Sequence, residues 1–202
     1  MKTIDKSLLK VGQVVLYCNG KPGFFPREIQ KFQAMEYPVE IAQYHHAMMI
    51  KSITDDKIIV EEEKQMFDSC GETDFNDYLK QDSCKLMVRE PITGLPLSMQ
   101  GVLFDLMTAD KNAGIYNIPG IFNFAYKYIA YKCTGKAKWL NVGNNKNMEV
   151  CSQKVEEWYK EAYGIANSAI FLQAMKALMD DNYTMSPADF VASLLFKTIC
   201  VV

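Results

Sequence analysis

The sequence predicts a mixed domain of strands and helices, and three observations carry that expectation. Short β-branched runs ended by turn residues crowd the stretch up to Glu90. From Leu97 onward, apolar residues recur at helical spacing instead. The chain has 202 residues and 49% hydrophobic content, enough to bury a core as one domain spanning residues 1–202.

The elements follow in order. "GQVVLYCNG" reads as a strand closed by an Asn-Gly turn, followed by the loop "KPGFFP" and a short helix, "REIQKFQAM". Residues 43–53, "QYHHAMMIKSI", read as a second strand that turns through "TDDK" into a third, "IIVEEE". The hairpin carries two histidines and a run of carboxylates. A polar stretch, "SCGETDFNDYLKQD", holds one helical turn at Phe75, Tyr78 and Leu79, and "CKLMVRE" is the next strand.

Residues 97–109 place Met99, Val102, Leu103, Leu106 and Met107 on a helical face, with Gly114 just past the end. The aromatic segment from Gly114 to Asn141 suits either a wall over an apolar groove or ordinary core packing. After Cys151 a helix shows the stripe Val155, Trp158, Tyr159 and Ala162 and stops at Gly164. A further helix covers 167–179. The last begins at "SPADF", with Ser186 as N-cap, Pro187 in the first position and Asp189 in the first turn.

Composition excludes several functions. Lys+Arg 22 against Asp+Glu 24 gives a net charge of −2 without a basic cluster, so nucleic acid is not an expected partner. The N-terminal stretch is too charged for a secretory core. No apolar run reaches the ~18 residues of a membrane span, so a cytoplasmic protein is expected. The six cysteines form no C-x-x-C pair, which signals neither zinc nor a redox couple, and no cofactor is expected. Free thiols in a reducing compartment are the default.

One thiol stands apart. Cys151 precedes its helix, where the macrodipole and unpaired N–H groups favour a thiolate and can also bind an oxyanion. With a cationic imidazole nearby, such thiols fall from a pKa of ~8.5 to ~3.5–7.5. The alternative is a small buried hydrophobe. The chain offers only His45 and His46 as partners, adjacent on one strand and therefore pointing to opposite faces. Only one of them can meet Cys151, and the alternation leaves open which. Glu61, Glu62 and Glu63 on the neighbouring strand are candidates to orient the imidazole.

The order "YHHAMMI", "KIIVEEE", "EVCSQKVEEWY" resembles the circularly permuted papain-like enzymes of the NlpC superfamily, in particular their YiiX/YaeF-like branch. That branch shows a "GD-apolar" strand, a "Y-S-H-apolar-small" strand, an "apolar-E-A" strand, a "G-x-x-Y" segment and a late "C-S-x-x-V" helix. The match runs from Gly12 to "SPADF". Two positions depart from it: Gln13 replaces the Asp, and His45 replaces the Ser before the histidine.

The resemblance implies an α+β permuted papain-like fold, with a small antiparallel sheet or half-barrel packed on helices and the cysteine at the start of a late helix. Carried over by position, it makes Cys151 the nucleophile, His46 the catalytic base and Glu61 the orienting group. Tyr116 becomes a tyrosine beside the active site. The implied activity is a cysteine peptidase or amidase working through a thioester on a small-molecule, peptide or acyl-amide substrate. An acyltransferase and a catalytically idle ligand-binding module are the alternatives. A metal enzyme is the weakest rival, because neighbouring histidines on a strand do not readily share one ion.

Overall fold

The computed structural model describes residues 2–63, 70–109, 126, 133–134, 151–165 and 186–202. Six strands form one sheet: β1 (Val14–Asn19), β2 (His46–Ile53), β3 (Ile58–Glu63), β4 (Cys70–Asp74), β5 (Cys84–Pro91) and β6 (Phe196–Val201). They lie in the order β4-β3-β2-β1-β5-β6 with every neighbouring pair antiparallel. The helices are α1 (Phe24–Gln33), α2 (Val39–Ala42), α3 (Phe75–Leu79), α4 (Leu97–Ala109), α5 (Cys151–Ile165) and α6 (Pro187–Ala192). The expected helix over 167–179 and most of the aromatic segment, Tyr116 included, lie outside the described residues.

Both faces of the sheet are covered, as the near-continuous apolar runs of β1 and β2 require. On one face Val14, Leu16, Ala47 and Met49 meet Leu103 and Met107 of α4 and Val155, Trp158 and Tyr159 of α5. The stripe expected from the α5 sequence is thus the buried one. Gly12 allows α4 to come this close. Its φ is +87°, and a Cβ there would stand 2.4 Å from Leu103 Cδ1. On the opposite face Val15, Met48, Ile50, Ile58 and Val60 pack on Phe75 and Leu79 of α3.

Register decides which side chains share a face. Val14 pairs with Met49 and Tyr17 with His46, while Met49 pairs with Glu61 and Ile50 with Val60. Ile58 and Val60 are fully buried, so the even-numbered residues of β3 face the same way as Met48 and Ile50. The register shifts between Ile50 and Ser52, leaving Lys51 as the extra residue of a bulge.

The segment leading into β2 is fixed by polar contacts. Buried Gln33, at the end of α1, donates to the carbonyls of Ala42 (2.8 Å) and Tyr44 (2.7 Å) and accepts from the Ala188 N–H (2.9 Å). Helix α6 begins with the capping box that its sequence foretold: the Asp189 N–H donates to Ser186 Oγ, and the Ser186 N–H to Asp189 Oδ2. Among the described residues no helix is long and apolar enough to cross a membrane.

Candidate active site

Two chain segments start at the same point. Cys151 is the first residue of the fifteen-residue helix α5 and His46 the first of β2; both are buried, and the imidazole and thiol are hydrogen-bonded. Val155, Trp158, Tyr159 and Ala162 bury α5 against the sheet and so fix the height of its N-terminus. The positive end of the helix dipole then falls on the Cys151 sulfur.

The other side of the imidazole is held by a carboxylate. His46 Nε2 lies 2.7 Å from Glu62 Oε2, with both side chains buried. With Nε2 engaged there, Nδ1 is the ring nitrogen left for the thiol. Glu62 is itself clamped: Tyr78 Oη donates to Oε2 at 2.7 Å and Thr73 Oγ1 donates to Oε1. These hydroxyls come from α3 and β4, so strand pairing and the short helix together set the carboxylate's position.

Glu61, which the resemblance put in this role, does not stand beside His46. Its register partner is Met49, on the other face, and it forms an ion pair with Lys51 Nζ at 2.7 Å. Lys51 also reaches Glu72 (2.9 Å) and the Met107 carbonyl at 3.4 Å, tying the bulge to β4 and the end of α4. Glu61 thus belongs to a structural ion cluster, and Glu62 is the carboxylate at the imidazole. The sequence hid this because "IIV" is apolar at three successive positions, so alternation could not be read from it.

The electrostatics follow from the contacts. Burial alone would lower the His46 pKa, but the adjacent Cys151 sulfur and the Glu62 carboxylate outweigh it and push it up to about 10. Burial likewise favours neutral Glu62, yet His46, Thr73 and Tyr78 hold it down at about 2. Tyr78 is raised by burial and by the Glu62 charge, which keeps its hydroxyl a donor. The buried centre is therefore an ion pair with the proton on His46.

His45 is not on an opposite face. Strand β2 begins one residue later, so alternation does not govern it, and both histidines line one cavity of about 290 Å³. Its ring meets Tyr17 edge-on, with centroids 5.3 Å apart, and its Nε2 accepts the Asn19 backbone N–H at 3.1 Å. Burial and the neighbouring His46 charge lower its pKa to about 4, so this ring is neutral.

Among the described residues, no three His, Cys, Asp or Glu side chains converge as ligands for a metal ion. Sequence reasoning offered Glu62 among three neighbouring carboxylates without selecting it, and it missed Thr73 and the role of Tyr78. The signal for Tyr78 was present as an amphipathic helical turn, but nothing local said that its hydroxyl would cross to β3.

No family model matches the chain, and no curated protein does. The structure is similar to the crystal structure of metalloprotein YiiX from Escherichia coli O157:H7. The TM-score is 0.57 at 16% sequence identity, and the match covers 95% of this chain and 96% of that one. The chain thus has a YiiX-like α+β fold, in keeping with the resemblance seen in its sequence motifs.

Proposed function

We propose that this chain is a cysteine hydrolase in which Cys151 is the nucleophile, His46 the proton carrier and Glu62 the group that orients His46. The observation that carries this reading is the unbroken hydrogen-bonded line from the thiol at a helix N-terminus, through a buried imidazole, to a clamped carboxylate. A buried ion pair is a poor way to stabilise a fold, and replacing one by apolar residues is often neutral or better. Three polar groups aligned at a helix start are better explained by chemistry.

The steps follow from the arrangement. The Cys151 thiol passes its proton to the His46–Glu62 pair as its sulfur attacks the carbonyl carbon of an amide or acyl substrate. The carbonyl π electrons move to oxygen, where backbone N–H groups of the first turn of α5, which have no acceptor within the helix, can receive them. His46 gives its proton to the leaving amine or alcohol as the carbon–heteroatom bond breaks, leaving a thioester. Water then attacks the thioester while His46 takes its proton, and the sulfur departs with its electron pair. Glu62 keeps the ring oriented and stabilises its positive charge throughout. Tyr116, beside the active site by the sequence resemblance, is a further oxyanion donor on this reading.

YiiX is described as a metalloprotein. Here both His46 ring nitrogens are engaged, by Glu62 and by the thiol, and the described residues offer no convergent third ligand. The donor set does not fit a metal ion, and no step runs through one.

The test is turnover of a panel of p-nitroanilide amides and p-nitrophenyl acyl esters by the parent chain, Cys151→Ser and Glu62→Gln. Hydrolysis in the parent, its loss in Cys151→Ser and a burst of one product equivalent on the ester substrates support the assignment. Turnover that survives in Cys151→Ser refutes it. Added hydroxylamine, by trapping the acyl group, separates a hydrolase from a transferase.

A further inference from the structure

The two members of the His46–Glu62 pair stand on separate supports. Glu62 is set by the pairing of β3 with β4 and by the hydroxyls of Thr73 and Tyr78. His46 is the first residue of β2, where the support is thinner. β2 pairs with β3 over residues 49–53, so at His46 the ladder runs to β1, with Tyr17 opposite and the His45 N–H donating to the Tyr17 carbonyl at 3.0 Å. Just upstream, α2 has ended at Ala42, and the carbonyls at a helix end need partners from outside the helix.

Those partners come from one side of α1. Gln33 Nε2 donates to the carbonyls of Ala42 (2.8 Å) and Tyr44 (2.7 Å), and Gln30 Nε2 donates to that of Gln43 at 2.7 Å. Residues three apart on a helix are neighbours, so two adjacent amides hold three successive carbonyls immediately before the histidines. Gln33 is the buried residue of α1, and burying an amide is costly unless its polar atoms are bonded. Its Oε1 accepts the Ala188 N–H at 2.9 Å, which fixes the end of the amide that faces the carbonyls and anchors it to α6. Helix α6 is tied in turn to β5, where buried Arg89 donates to the carbonyls of Phe190, Val191, Ser193 and Phe196.

We propose that Gln33, assisted by Gln30, is a positioning residue for His46: by holding the carbonyls of residues 42, 43 and 44 it sets where the imidazole stands between Glu62 and Cys151. The inference rests on the proposed function, because the ring it places is the proposed proton carrier. Buried carbonyls do not stay unpaired. Without Gln33 the segment shifts to find other donors, and the ring two residues beyond Tyr44 shifts with it. A displacement of about 1 Å can cost on the order of a hundredfold in rate.

The experiment compares Gln33→Met, Gln30→Met and Gln13→Met with the parent. Gln13 is the matched control, an equally buried glutamine whose side chain bonds the Leu8 carbonyl, the Lys10 N–H and Glu90 instead. The readouts are the ¹⁵N titration of the His46 ring, iodoacetamide alkylation of Cys151 at low pH and the denaturant midpoint. In the parent His46 should titrate at about 10. In Gln33→Met that titration should fall by at least about one unit, and low-pH alkylation of Cys151 by at least about tenfold. Gln30→Met loses one bond and should move both readouts the same way by less. Gln13→Met should lower the midpoint and leave both at the parent values.

A His46 titration that stays with the parent in Gln33→Met and Gln30→Met while the midpoint falls, or one that moves as far in Gln13→Met, would overturn the assignment and leave the two glutamines as structural residues. If Gln33→Met does not fold, Gln30→Met decides, because an unmoved His46 titration there overturns the clamp. Alkylation of the parent separates this inference from the hydrolase reading. Slow low-pH alkylation of parent Cys151 overturns the hydrolase, whereas the His46 titration needs no reactive thiol and still decides the role of Gln33.

Discussion

Glu62→Gln removes one charge from the proposed centre while keeping the shape of the side chain. In the parent, His46 keeps its proton up to about 10. Burial opposes that state, so the Cys151 sulfur and Glu62 must supply the excess. A hydrogen bond to a charged group contributes about 1.5–3 kcal/mol, and one pKa unit corresponds to about 1.4 kcal/mol. Loss of the carboxylate charge should therefore lower the His46 titration by about one to two units, to roughly 8–9. The sign is fixed: a raised imidazole stabilises the fold fully below its unfolded value of about 6.5. That contribution fades as the pH rises through about 10 in the parent, and earlier in the variant. The assay is an NMR titration of the two histidine rings, with thermal unfolding recorded across the same pH range. A parent His46 that titrates at the ordinary imidazole value, or a variant that titrates with the parent, would refute the reasoning.

Glu61→Gln is the matched control. It leaves Lys51 with Glu72 as its remaining ion-pair partner and should destabilise the fold by roughly 1–3 kcal/mol, read from denaturant midpoints, while leaving Cys151 alkylation at the parent rate. Tyr78→Phe removes one donor from Glu62 and should lower stability by about 0.5–1.5 kcal/mol. It should also raise the acid limit of the Glu62 carboxylate, seen as earlier loss of stability on acidification. That direction follows because a carboxylate held at about 2 stabilises the fold above its unfolded value and loses the contribution as pH falls towards 2. An unchanged acid limb in Tyr78→Phe would mean that Thr73 and His46 alone hold the carboxylate.

Much of this fold was legible where the pattern was strong. The bounds of α4 and the buried stripe of α5 follow from helical spacing, and the capping box of α6 from three residues, Ser186, Pro187 and Asp189. The two strands that escaped, β4 and β6, are the two edges of the sheet. An edge strand has a partner on one side only and exposes part of its side chains. "CGETD" and "FKTICV" therefore carry little of the apolar signal that a central strand must have. The same logic separates Cys151 and His46 from Glu62. A helix start and a Tyr-His-His strand are local features, readable in place. The choice between Glu61 and Glu62 depends on the register of β2 against β3, and a slip of one residue exchanges them. His45 misled for a related reason, because alternation holds within a strand and β2 begins at His46.

The most direct test of the Cys151–His46 pair is the rate of iodoacetamide alkylation as a function of pH, mapped by peptide mass, in the parent and in His46→Ala. An imidazolium-paired thiolate should react at Cys151 well below the ~8.5 at which a free thiol ionises, with the other cysteines slow there, and His46→Ala should abolish that low-pH reactivity. A Cys151 whose alkylation rises only with that of an ordinary thiol, or is the same in both proteins, would contradict the assignment.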